Sequence, residues 1–89
     1  MEMLNFRYQI HPEAFSTEAD NQVVILQYET GTYFTLNEVG MQIWKLLEQG
    51  KTLQEILNVL LQEYDVGQER LQQDLLNVIK QLEERRLIL

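Results

Sequence analysis

The chain has 89 residues and no cysteine, which bounds it to one domain, residues 1–89, with no disulfide framework, thiol nucleophile or cysteine-based metal site. Its hydrophobic fraction of 45% is that of a chain that folds. The 14 acidic residues outnumber the 7 basic ones for a formal charge of -7, and such a surface repels polyanions, so nucleic acid is a poor partner.

The N-terminal stretch MEMLNFRYQIHPEAF lacks a basic region followed by an apolar one, and no window approaches the roughly 18 apolar residues of a membrane span. These features predict a soluble, cytoplasmic protein. From Leu4 to Ile10 apolar side chains fall at every second position, the pattern of a half-buried strand. His11-Pro12 ends that pattern, because Pro12 cannot donate to a ladder, and the polar run from Glu13 to Gln22 reads as a loop.

Val23 to Tyr28, VVILQY, is apolar at nearly every position and suits a central strand. Gly31 supplies the positive φ of a short hairpin loop, and Tyr33 to Leu36 resumes a β-prone run. Asn37 is placed to cap a first helix that ends at Gly50. Thr52 and Glu55 have the spacing of a capping box for a second helix, and Gln68 to Arg86 carries the apolar stripe of a third. The fold class that follows is α+β: a three-stranded antiparallel sheet followed by three helices, winged helix-turn-helix-like.

Few residues are available for chemistry. His11, the lone histidine, sits beside a proline in a loop and reads as a surface residue rather than a ligand or base. The carboxylates are scattered, the glycines match no phosphate-binding spacing, and Trp44, Phe6, Tyr8, Phe34 and Tyr64 read as core. Catalytic residues, metal and cofactor are therefore all predicted to be absent. A helix-turn-helix DNA reader is the rival reading, with Gln68, Gln72, Gln73 and Asn77 available to base edges. Between Thr52 and Glu69, however, the acids Glu55, Glu63, Asp65 and Glu69 stand with no lysine or arginine.

What remains is surface. The third strand ends the sheet in sequence, so it is expected at an edge, with an apolar helix face nearby. An open edge of that kind accepts an extended peptide by strand addition. The residues alone support equally the reading in which the helix arc is all core and the edge simply short.

From Val23 to Leu89 the chain resembles the PqqD family and, more broadly, the leader-recognition domains of pathways for ribosomally made, modified peptides. The resemblance is carried by VVILQY, the hairpin ETGTYFTLN, the helix start EVGMQIW, KTLQEI, EYDV and the closing LNVIKQLEERRLIL. It implies that the leader segment of a precursor peptide adds as a strand beside Tyr33, Phe34 and Thr35, facing Leu71, Asp74, Leu75 and Val78 of the third helix. It further implies a separate partner, a modifying enzyme or leader peptidase, with lasso-peptide assembly the favoured branch. The chain departs from many relatives at Arg86-Leu87, where they have a glycine after the last helical turn.

Overall fold

The structure, a computed structural model, describes residues 5–89. Three antiparallel strands, β1 (Ala14–Ala19), β2 (Gln22–Gln27) and β3 (Thr32–Leu36), are followed by helices α1 (Glu38–Glu48), α2 (Leu53–Glu63) and α3 (Gln68–Glu84). The sheet order is β1-β2-β3, so VVILQ is the central strand and β3 an edge, as expected.

The first strand is not where the alternation placed it. Leu4 lies outside the described residues, and Arg7 and Ile10 make only isolated bridges, to Thr52 and Ile88. The segment is instead a strap across the ends of the helices: Leu53 N–H donates to Phe6 O, His11 N–H to Leu87 O and Leu89 N–H to Gln9 O. Its alternating apolar residues give Tyr8 and Ile10 a half-buried seat, while Phe6 is left 54% exposed and is not core.

β1 arises from the run that read as a loop. Pro12 occupies the second position of a turn closed by Ala14 N–H on His11 O, and the strand then runs to a two-residue turn at Asp20 and Asn21. Both have positive φ, 52° and 61°. Those values belong to the primed hairpin turns whose twist matches the strands, and Asp and Asn adopt them at small cost.

In β2, Val23, Ile25 and Gln27 point to the buried side. α1 packs against β2 and β3 on that side, and Lys45 Nζ reaches Glu18 Oε1 of β1 at 3.1 Å. Trp44, Ile56, Leu75 and Leu82 lie at the centre of the core. Asn37 Oδ1 accepts from Gly40 N–H at 3.0 Å to start α1. Thr52 and Glu55 form the capping box of α2, and the Thr52 N–H on the Glu55 carboxylate holds that acid below its usual range.

α3 ends in a Schellman turn: Leu87 N–H bonds Leu82 O and Arg86 N–H bonds Glu83 O, with Arg86 at φ 58°. Arg86 thus takes the left-handed conformation that glycine adopts at least cost. Its carbonyl accepts from Gln27 Nε2 at 2.7 Å, and Gln27 Oε1 accepts from Glu29 N–H. His11 joins this polar cluster and is buried rather than on the surface. Its Nδ1 accepts from Glu13 N–H at 2.9 Å and its Nε2 lies 3.2 Å from Glu29 Oε1, so both ring nitrogens are occupied in holding the base of the sheet.

Candidate functional site

The direction in which each strand residue points its backbone follows from one hydrogen bond. Tyr28 N–H donates to Glu13 O, and an antiparallel ladder alternates its bonded residues, so Gln22, Val24 and Leu26 bond to β1. Val23, Ile25 and Gln27 then bond to β3, where their partners are Leu36, Phe34 and Thr32. Tyr33 and Thr35 are left with N–H and C=O turned to the open side of β3. No described strand pairs there. Gly31, at φ 70°, closes the four-residue loop that sets this register, with its N–H on Gln27 O.

Side chains alternate the other way. Phe34 and Leu36 point to the helix side, and Tyr33 and Thr35 to the opposite face, where Tyr33 is 70% exposed. On the helix side, past the end of β3, a cleft of about 340 Å³ opens between the start of α1 and α3, lined by Asn37, Val39, Gly40, Asp74, Asn77 and Val78. Beyond it along α3, the Arg85 guanidinium lies 4.2 Å from the Phe34 ring centre. α3 therefore runs antiparallel to β3 along the open edge. Asp74 and Arg85, eleven residues apart, put a carboxylate and a guanidinium about 16 Å from each other along the helix, the span of about five strand residues. Gly40 lets the start of α1 close on the end of β3, since a Cβ there would meet Leu36 Cβ at 2.8 Å.

Of the residues assigned to the site from sequence, Tyr33, Phe34 and Thr35 form the unpaired edge, and Asp74 and Val78 line the cleft. Leu71 and Leu75 were expected on the facing surface of α3 and are not there: both are core, Leu75 with 0% exposure. At 100° per residue, the stripe Leu71, Leu75, Ile79 and Leu82 turns to the protein interior, and the stripe Asp74, Asn77, Val78 and Arg85 turns to the start of α1 and, at Arg85, to Phe34 of β3. Arg85, Asn77, Asn37, Val39 and Gly40 went unassigned. Arg85 had a readable signal, since it falls about two helical turns after Val78 on the same stripe.

Among the described residues no group of three or more His, Asp or Glu side chains is arranged to hold a metal ion, and no helix is long and apolar enough to cross a membrane. The cleft offers backbone donors and acceptors, an apolar wall and a charge of each sign. Those are the elements that hold an extended chain.

Residues 22–88 match the family described as Coenzyme PQQ synthesis protein D (PqqD). Among solved structures, the chain is similar to one described as "TbiB1 in Complex with the TbiA(beta) Leader Peptide", at 38% identity over 90% of this chain and 93% of that one, with a TM-score of 0.86. It is also similar in fold to "Lasso peptide synthetase B1 complexed with the leader peptide", at 24% identity over 94% of this chain and 99% of that one, again with a TM-score of 0.86. Comparison with curated proteins finds no match.

Proposed function

The chain belongs to the PqqD family, and from that premise we propose that it binds the leader segment of a ribosomally made precursor peptide as a fourth strand along β3 and brings it to a separate enzyme. The observation that carries this reading is the open edge itself: Tyr33 and Thr35 turn unpaired backbone groups outward beside a cleft walled by α3. A peptide strand there gains ladder hydrogen bonds from those two residues, while its alternate side chains enter the cleft between Gly40 and Val78. The relative at 38% identity is described in complex with a leader peptide, which supports the class of ligand.

The role is binding rather than catalysis. Raising the local concentration of a peptide at its enzyme needs affinity and geometry, and no nucleophile or base. Tyr33, Phe34, Thr35, Asp74 and Val78 contact the leader in this reading, while Leu71 and Leu75 hold the wall from behind. The DNA-binding alternative loses support from the charge of -7, since phosphate contacts supply most of the affinity in such modules.

A fluorescein-labelled synthetic leader peptide titrated with the protein tests this. Saturable binding in the micromolar range or tighter is expected, with no retention of labelled duplex DNA at low salt. DNA binding without peptide binding would reverse the assignment.

A further inference from the structure

The face of the sheet opposite the helices meets the peptide site only at the open edge of β3, and most of it is an uncovered apolar surface. Phe15, Thr17, Val24, Leu26, Tyr28 and Tyr33 line an open groove of about 360 Å³ on it. The Phe15 and Tyr28 rings lie 5.0 Å apart, and Phe15, Tyr28 and Tyr33 are each more than half exposed. In a chain that is 24% charged, none of the residues lining this groove carries a charge. An uncovered aromatic surface of this sort marks a protein contact rather than a solvated sheet.

Its surroundings specify the partner. Glu13 and Asp20, at the two ends of β1, have no basic partner among the described residues, whereas Glu18 pairs with Lys45 and Glu29 with Arg86. The groove is therefore apolar with uncompensated acids at the ends of its outer strand. A second copy of this chain would set acid against acid, with -7 on each side, whereas an apolar patch bordered by lysine and arginine is complementary.

The groove is also continuous with the proposed peptide site, because Tyr33 belongs to both. A strand paired with β3 would place every second side chain on this same face, beside Tyr33 and Thr35. We propose that the outer face of the sheet docks the enzyme that acts on the bound precursor, through an apolar, basic-rimmed surface of that enzyme, so that the enzyme meets the domain and its peptide as one extended sheet. This inference rests on the leader-binding reading above.

The test uses the full chain, the labelled leader peptide and the peptidase that cleaves the same precursor. Two variants alter the face away from the open edge: Phe15→Thr with Val24→Thr, which keeps β-propensity, and Thr17→Lys, which adds one charge at an exposed position and spares the core. Both are expected to bind the leader within about twofold of the wild type, while affinity for the peptidase falls by about tenfold or more. Unchanged peptidase affinity in both variants, with leader binding intact, overturns the docking face and leaves the leader-binding reading standing. A wild-type dimer in sedimentation velocity that Thr17→Lys dissolves also overturns it, by making a second copy the occupant. Failure of the wild type to bind the leader strikes instead at the reading on which it rests.

Discussion

The guanidinium of Arg85 lies over the ring of Phe34, 4.2 Å from its centre, joining the last turn of α3 to the middle of β3 where few other side chains connect the two. One face of that ring is fixed by the cation, and the ring lies on the helix side of the open edge. An exposed cation–π pair contributes about 0.5–1 kcal/mol, so Arg85→Ala should cost about that much in urea denaturation. Peptide affinity should fall several-fold, because Phe34 loses the contact that orients it. Unchanged affinity in the titration would remove Arg85 from the site.

Proline separates the two sides of β3. Thr35 turns its N–H to the open edge, whereas Phe34 bonds back to Ile25. Thr35→Pro should therefore leave a cooperatively folded protein that binds leader peptide about tenfold more weakly, since a docked strand loses a donor. Phe34→Pro should lose folding itself. Circular dichroism melts beside peptide titrations check both, and equal losses of folding and binding in Thr35→Pro would count against the assigned edge.

Arg86 adopts φ 58° at the end of α3. The left-handed region costs a side-chain-bearing residue about 1–2 kcal/mol, and glycine escapes that cost at some expense in unfolded-chain entropy. Arg86→Gly should raise stability by about 0.5–1 kcal/mol in urea denaturation. Only a partly screened ion pair at 3.8 Å to Glu29 is lost. A net destabilisation would mean that this pair outweighs the backbone strain.

Gln27, 1% exposed, joins three segments: its Nε2 donates to Arg86 O and its Oε1 accepts from Glu29 N–H. Gln27→Leu keeps the volume and strands both backbone groups. A loss of about 2 kcal/mol is expected, seen as a fall of about 10 °C in Tm. A Tm within a degree or two of wild type would show that water replaces the amide.

The positions of these residues also explain which parts of the fold could be read from sequence. β2 was legible as a continuous apolar run, the helices because burial on one side imposes an apolar period, and Asn37, Thr52 and Glu55 state their caps in residue type. β1 was not, because its helix-side positions Ala14, Ser16 and Glu18 are small or charged and its outer positions face no covering layer. The turn at Asp20-Asn21 was its only strong signal. The alternation before His11 misled for the converse reason: a strap that half-buries Tyr8 and Ile10 shows the same period as a strand. In the candidate site, the strand half followed from order along the chain. The helix half required knowing which stripe of α3 turns inward, and Leu75 and Asp74, adjacent in sequence, fall on different sides of that line.

Strand addition is tested most directly by amide exchange in the ¹⁵N-labelled protein, with and without saturating leader peptide. The amides of Tyr33 and Thr35 should show large shifts and markedly slowed solvent exchange on binding, while those of Phe34 and Leu36, already bonded to β2, change little in protection. Bound peptide with Tyr33 and Thr35 still exchanging freely would contradict docking at this edge.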